Sequence, residues 1–326
     1  MLNYQYKNRG FIKKLAYFLL VLSLAMPFLA YAYTGVTIVL SAATPANQEF
    51  VDNFKDELVR SRNTSLRLTV IDLQEVEKLV VAENSELVIA LGVKALEAAS
   101  KLRHTTPVLG IFTPLPTFNS FLQNSRRDLG NFSAIVLDQP YMRQMSLIKT
   151  ILPDAKSIGI MLGPTSSQYG EHLKDDGEKN GLTVFEENIN QEAGLITKLQ
   201  KLLDTTDALM AIPDPSIYNR ETAQPILFTS YRHLKPVFGY SQSYVRAGAL
   251  AAVFSNSKQL AKQAVEIAIK SQQPPNLLPP PQSPTYFSVM VNYQVARSLN
   301  ISVMDEDVLY KKILELEAVQ YEQYRH

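Results

Sequence analysis

The chain has 326 residues, with 32 lysines and arginines against 31 aspartates and glutamates, four histidines and no cysteine. This near-neutral balance lacks the basic excess of a nucleic-acid binder, and the missing thiols remove disulfides, thiolate catalysis and thiolate metal sites together. A chain of this length can bury a core large enough for two lobes or domains.

The first predicted element is an export signal. Lys7, Arg9, Lys13 and Lys14 form a basic stretch with no acidic residue, and 15–30 is an uncharged apolar run of about sixteen residues. Ala30-Tyr31-Ala32 supplies the small-x-small pattern that signal peptidase needs. The run is short for a membrane span, which takes roughly twenty apolar residues, and Pro27 interrupts it near its end. Residues 1–32 therefore read as a cleavable signal peptide and Tyr33 as the mature N-terminus, with an uncleaved membrane anchor as the alternative. Without a cysteine there is no lipobox, so the expected product is periplasmic and not a lipoprotein. Cleavage would remove four basic residues, leaving a net charge of about −3.

Short β-branched runs then alternate with longer amphipathic stretches, the pattern of βαβ units around a parallel sheet. Strands are expected at 36–40, 66–71, 87–91, 108–112, 134–137, 157–162, 183–186, 208–212 and 237–239. Several are apolar throughout, as strands covered on both faces must be. Helices are expected at 48–61, 73–82, 93–102, 142–152, 168–180 and 193–203. In the first of these, Phe50, Phe54, Leu58 and Val59 recur at helical spacing. Four βα units fill 33 to about 112, and a second set runs from about 157 to 239. An Asn-, Ser- and Gly-rich segment at 117–133 separates them. A helix at 257–269 precedes the proline-dense stretch 274–284, which reads as an extended crossover because each proline removes an N–H donor and fixes φ. A helix at 305–324 closes the chain.

Most catalytic patterns are missing. No G-x-G-x-x-G or Walker-type glycine loop follows a strand. His104, His172, His233 and His326 have no metal-ligand partner at helical or hairpin spacing. Gly239-Tyr240-Ser241-Gln242-Ser243 lacks the closing glycine of a nucleophile elbow, and Asp-rich calcium loops are absent. The pairs Asp175/Asp176 and Glu186/Glu187 read as solvated charge. A binding protein that is no enzyme and needs no cofactor fits this inventory better than a hydrolase or glycosyltransferase on a two-lobed scaffold.

Open α/β sheets place ligands beyond the C-terminal ends of their strands. Four polar loops stand at such ends: Ser41-Ala42-Ala43-Thr44, Gly92-Val93-Lys94, the stretch 163–169 with Ser167 and Tyr169, and Pro213-Asp214-Pro215-Ser216. At 92–94 a helix N-terminus offers free N–H groups suited to a carboxylate. Each Ser, Thr or Asp here has helix capping as its alternative role.

Three blocks point to a family. Leu147-Ile148-Lys149 with Leu152-Pro153-Asp154-Ala155-Lys156-Ser157-Ile158-Gly159, Tyr244-Val245-Arg246-Ala247-Gly248-Ala249-Leu250-Ala251, and Val291-Asn292-Tyr293-Gln294-Val295-Ala296-Arg297-Ser298-Leu299 occur in that order. In them the chain resembles the ABC-transporter substrate-binding proteins of periplasmic-binding type I fold, in the group that includes tryptophan and other aromatic amino-acid binders. It departs from the family where Phe112-Thr113-Pro114 replaces a usual Asp-Pro, and at Leu129-Gly130-Asn131-Phe132-Ser133-Ala134. The resemblance implies two Rossmann-like α/β lobes with parallel sheets joined by a multi-strand hinge. Lobe 1 would comprise 33–138 with a return segment at about 255–275, and lobe 2 would comprise 139–254 with a C-terminal segment at about 285–326. It also implies Asp214 and Tyr240 as cleft residues, with Asp214 a partner for a ligand ammonium. The full expected ligand-binding set is Ser41, Thr44, Gly92, Val93, Lys94, Thr113, Ser167, Tyr169, Asp214, Tyr240 and Gln242. The ligand would be an amino acid or related zwitterion, captured by a monomer. It would be handed to an ABC-transporter permease or, in the alternative, reported to a membrane sensor.

Overall fold

The computed structural model describes residues 35–62, 66–73, 85–125, 127–164, 166–190 and 194–323. The signal segment expected at 1–32, Tyr33, nearly all of the helix expected at 73–82, and Thr165 lie outside the described residues.

The first sheet is built from β1 (Gly35–Leu40), β2 (Arg67–Asp72), β3 (Leu87–Leu91), β4 (Val108–Thr113) and β5 (Phe132–Val136). All pair parallel, in the order β2-β1-β3-β4-β5. Its helices are α1 (Pro45–Arg60), α2 (Val93–Ser100) and α3 (Leu115–Asn124). Strand side chains alternate in direction with period two, and here both directions are apolar. Ile38, Ile89 and Leu109 face Phe50 and Phe54 of α1, whereas Val39, Val88 and Val108 face Ala95, Leu96 and Ala99 of α2. Each fully buried side chain of this size contributes about 1.5–3 kcal/mol, which is why these strands read as unbroken apolar runs.

The second half continues with α4 (Tyr141–Ile151), β6 (Ser157–Leu162), α5 (Gly170–Lys179), β7 (Thr183–Asn188), α6 (Leu195–Thr205), β8 (Ala208–Met210), α7 (Ala223–Arg232), β9 (Val237–Gly239), α8 (Gln242–Ala247) and β10 (Ala251–Phe254). The last elements are α9 (Ser257–Lys270), β11 (Ser288–Val291), α10 (Tyr293–Ser298) and α11 (Glu306–Gln323). The second sheet runs β7-β6-β8-β9-β10-β11, with only β11 antiparallel. Counted from its own first strand it repeats the order of the first sheet and adds one strand. Cores again lie on both faces. The result is the two-lobed α/β architecture anticipated above.

The chain passes between the sheets three times: at 137–140 into α4, at 255–256 into α9, and at 283–287 into β11. Helix α9 packs on α1 of the first lobe through Leu260, Ala261 and Ala264. The proline-rich stretch, expected to be extended throughout, opens with a turn in which the Asn276 amide donates to the Gln273 carbonyl at 2.8 Å and is extended from 277 on. It also pairs with the edge strand, since Gln282 donates to the Ala134 carbonyl and accepts from the Val136 amide, both at 3.0 Å, while Leu278 is buried in the first core.

One guanidinium reaches all three crossovers. Arg143, in the first turn of α4, is 6% exposed. Its Nη1 donates to Gln139 Oε1 at 2.6 Å and to the Pro284 carbonyl at 3.0 Å. Gln139 Nε2 donates to Ser255 Oγ (2.9 Å), which donates to the Tyr286 carbonyl (2.6 Å). On its other side Arg143 forks onto Glu317 of α11, at 2.6 and 3.2 Å, and its Cζ lies 4.1 Å from the Phe287 ring centroid. Leu309, Ile313 and Glu317 recur every four residues, so one face of α11 delivers both the apolar contact and the carboxylate.

The segment expected to separate the two βα sets is corrected. Within 117–133 lie most of α3 and the start of β5, so the first set has five strands and the junction falls after Val136. Helix α3 has Pro114 before it and Pro116 in its first turn, where proline is tolerated. Phe118 stacks on Phe132 with ring centroids 5.1 Å apart. Tertiary burial outweighs the weak helix propensity of Asn and Ser there. Helices α7, α8 and α10 and strands β10 and β11 were likewise not anticipated; four of these five elements span six residues or fewer and gain their definition from packing.

Breaking the Arg143–Glu317 pair from the arginine side should be the more damaging change. Arg143→Met leaves Glu317 without its partner and is expected to cost about 3–5 kcal/mol in urea unfolding of the full chain. Glu317→Gln still accepts a bond, while Arg143 keeps Gln139 and Pro284, so its cost should be about 1–2 kcal/mol. The opposite ranking would show that the crossovers do not depend on this residue.

Candidate functional site

In doubly wound sheets of this strand order the ligand crevice opens where neighbouring connections diverge to opposite faces, beyond the strand C-termini. In this chain those points lie between β1 and β3 and between β6 and β8.

At the first, Ser41 Oγ accepts from the Ala95 amide at 2.8 Å. It thereby caps α2 from a neighbouring strand end, because Gly92 at the N-cap has no side chain to do so. A Cβ on Gly92 would lie 2.8 Å from that hydroxyl, and φ is +90° there, so the position requires glycine. Ser41, Gly92, Val93 and Lys94 thus form one corner, with Val93 and Lys94 exposed. Thr44 instead caps its own helix, accepting from the Asn47 amide at 3.2 Å. At the end of β4, Phe112 adopts φ +57° and the pairing register shifts between Ile111 and Thr113. Thr113 is fully buried and its hydroxyl has no hydrogen-bond partner.

At the second point, the loops after β6 and β8 are bolted together by Asp214, which is 2% exposed. Ser166 Oγ donates to Oδ2 at 2.5 Å, while Ser216 donates to Oδ1 through its amide (2.9 Å) and its hydroxyl (2.6 Å). A Cβ on Gly163 would lie 2.2 Å from Ser216 Oγ and 2.7 Å from Asp214 Oδ2, so the close approach needs glycine. Ser167 is exposed beside this turn. Tyr240 follows β9, stacks on Tyr244 (5.7 Å between centroids, 23° between planes) and meets Tyr218 edge-on at 6.1 Å. Burial pushes the Tyr240 hydroxyl up to about 12, and the charge of Asp214 adds to the shift, placing the tyrosine cluster beside that carboxylate. Burial also raises the Tyr244 hydroxyl, which has no hydrogen-bond partner.

Two contacts join the halves. Asn119 Nδ2 of α3 donates to the Tyr169 hydroxyl at 2.8 Å. Asp138, on the first crossover, lies within electrostatic reach of Asp214. Asp138 is 4% exposed and Oδ2 accepts from the Leu115 amide at 2.6 Å. Burial pushes this carboxyl up to about 6 against the opposing hydrogen bonds of the Leu115 amide and its own amide, and Asp214 pushes it further.

The structure therefore brings Ser41, Gly92, Val93 and Lys94 together in one lobe and ties Asp214 to the Tyr240 cluster in the other. Tyr169 bridges the two lobes. Gln242 lines a cavity of about 540 Å³ with Gln259, Phe287, Glu306 and Tyr310. Sequence reasoning missed Asp138, Asn119, Tyr218 and Tyr244. Asp138 was accessible to it, since it stands at the C-terminal end of an expected strand, the criterion that selected the other loops. The pair Asp175/Asp176 also departs from expectation: Asp176 is buried, with Lys179 at 3.5 Å.

A family model described as ABC transporter substrate binding protein matches residues 46–312. The chain belongs to that family. Among its relatives is a "Tyrosine-binding protein" of Clostridioides difficile (strain R20291), 22% identical over 223 residues, which are 67% of this chain and 62% of the relative. The match thus spans less than two thirds of that curated relative. Solved family-like folds include a ligand-free, open substrate binding protein with adhesive properties, CD0873, from Clostridium difficile (TM-score 0.65, 18% identity, 83% of this chain and 96% of that one). An ABC domain in complex with L-Trp from Streptococcus pneumonia superimposes with TM-score 0.59 at 18% identity, over 85% of this chain and 98% of that one. These establish the periplasmic-binding type I fold of this substrate-binding protein. Among the described residues no helix is long and apolar enough to cross a membrane.

Gly163→Ala should cost about 1–3 kcal/mol in thermal or urea unfolding, because the new methyl displaces the Ser216 and Asp214 side chains. Adding Ser216→Ala removes the nearest clash, so the double variant should lose clearly less than the two single losses together. Strict additivity would show that these loops are not in contact.

Proposed function

We propose that this family member is an exported binding protein that captures an amino acid with an aromatic or apolar side chain between its two lobes and delivers it to an ABC transporter. The carrying observation is the tyrosine cluster around Tyr240 set beside the buried carboxylate of Asp214, at the strand ends of the second sheet. An aromatic wall supplies apolar area and a π-face, and a desolvated carboxylate supplies a charge-assisted bond to an ammonium group. The corner formed by Ser41, Gly92, Val93 and Lys94 lies at the matching place in lobe 1, with Thr113 on the same sheet edge. Tyrosine binding and L-Trp binding by the similar proteins named above support the same ligand class.

Lobe 1 is proposed as 33–138 with its return segment, and lobe 2 as 139–254 with the C-terminal segment. The three crossovers form the hinge on which they close. Ser167, Tyr169 and Gln242 belong to lobe 2 in this reading, and Thr44 to lobe 1. The basic stretch, apolar run and Ala-x-Ala end of residues 1–32 support export with cleavage after Ala32.

Native mass spectrometry of the purified full chain should reveal a co-purifying amino acid, and titration calorimetry should confirm which one. Asp214→Asn should then weaken binding by about 2–5 kcal/mol, as expected for truncating one partner of a buried charge pair. Unchanged affinity in a well-folded variant would reduce Asp214 to the bolt between loops that its serine contacts describe.

A further inference from the structure

We infer that Asp138 is a second carboxylate of the ligand site, contributed from the lobe 1 side of the hinge, and that it makes a protonated amine an obligatory part of the ligand. This deepens the function proposed above and rests on it.

Asp138 is a buried carboxylate without a cationic partner among the described residues. Its carboxylate is 4% exposed and is bonded to the Leu115 amide. Among the described residues no lysine, arginine or histidine pairs with it, and the charged group it feels most is another carboxylate, Asp214. A buried anion facing an anion is costly unless a proton or a cation joins them. The groups around it supply neither. Asp214 comes from the loop after β8, Tyr169 from the turn before α5, Tyr141 from α4, and the Leu115 amide from α3. The hydroxyls of Tyr141 and Tyr169 are pushed upward partly by the Asp138 charge, so they remain neutral. Next to Tyr141 stands His172, with ring centroids 6.4 Å apart; its nearest acid is Asp176, at 3.8 Å.

A second observation lies at the same corner. The Thr113 carbonyl accepts from the Leu137 amide at 3.0 Å, immediately before Asp138, and the Thr113 hydroxyl is fully buried with no partner. A buried carboxylate with no cationic partner, and an orphaned hydroxyl on the residue whose carbonyl bonds its chain neighbour Leu137, are groups that a ligand amine, with up to three N–H donors, would satisfy. The competing role for Asp138 is structural: Pro114 provides no side-chain cap for α3, and Asp138 caps that helix from outside. A cap alone, however, favours the ionised carboxyl, whereas this one is held near 6. Ligand binding as a cation would pull its proton off.

The sign of the pH dependence follows. Because the folded-state carboxyl titrates above its ordinary value, it favours folding at acid pH, and that benefit is lost as pH rises from about 4 to about 6. Ligand binding runs the other way, since it needs the ionised form. Affinity should therefore be flat above pH 7 and fall by up to about tenfold per unit below pH 6.

The test uses the full chain, wild type and Asp138→Asn, which retains an acceptor for the Leu115 amide. Titration calorimetry at pH 7.5 would compare L-tyrosine, L-tryptophan, tyramine and 3-(4-hydroxyphenyl)propionate, and the best binder would be repeated from pH 5 to 8. The expected result is binding of amine-bearing compounds and not of the propionate, a loss of about 30-fold or more in Asp138→Asn, and a flat pH profile in that variant. Without ligand, Asp138→Asn should melt above wild type at pH 7 and level with it below pH 4. Unchanged affinity in Asp138→Asn, with the propionate still rejected, would overturn the inference while leaving the aromatic amino-acid reading intact; equal binding of the propionate would overturn both. If none of the four binds wild type at millimolar concentration, that reading falls and the assignment of Asp138 falls with it.

Discussion

The buried guanidinium of Arg143 is the contact on which the relation between the lobes depends. It sits in the first turn of a helix, where the macrodipole disfavours a positive charge, and it is almost wholly desolvated. Such a charge persists only when it is paired and hydrogen-bonded. Its bonds go to groups from separate stretches of chain: Gln139 on the first crossover, Pro284 on the third, and Glu317 on the last helix. Through Gln139 and Ser255 the second crossover joins them. One residue thus ties all three crossovers and α11 into a single network.

At the strand ends, polar side chains are bonded first to their own protein. Ser41 caps a neighbouring helix, and Asp214 is held by Ser166 and Ser216. Such bonds fix rotamers before any ligand arrives, which lowers the ordering cost of binding. They leave capacity for a ligand as well: a serine that accepts through its oxygen still has a proton to donate, and a carboxylate has about four acceptor positions. Capping and ligand binding are therefore compatible at these positions. The two glycine-dependent features nearby, at Gly92 and Gly163, exist because backbone and side chain approach too closely for a Cβ.

The two lobes solve the same burial problem by the same strand order, yet their polar content differs. Lobe 2 carries the stacked tyrosines and Asp214, whereas lobe 1 offers a helix N-terminus, small residues and the buried Thr113. In the function proposed above, a ligand with an amine, a carboxylate and an aromatic ring would meet its partners on both sides, which would couple closure to recognition.

What the amino-acid order determined by itself was the set of apolar strands, the longer helices and the polar loops at their C-terminal ends. Those signals are local: a run of Val, Ile and Leu covered on both faces, or Phe50 and Phe54 one helical turn apart, reads directly as burial. Tertiary structure alone decided the elements whose stability comes from distant partners. Helix α3 exists because Phe118 meets Phe132, and β10 and β11 are four residues each, defined by pairing with one another. The same holds for the site. Asp214 was legible as a strand-end carboxylate between two prolines, but its bond to Ser166 links residues 48 positions apart. The standing of Asp138, buried within electrostatic reach of Asp214, arises only when the fold brings the C-terminal ends of β5 and β8 near one another. Spacing along the chain carries no trace of such a meeting, because the electrostatic cost belongs to the fold.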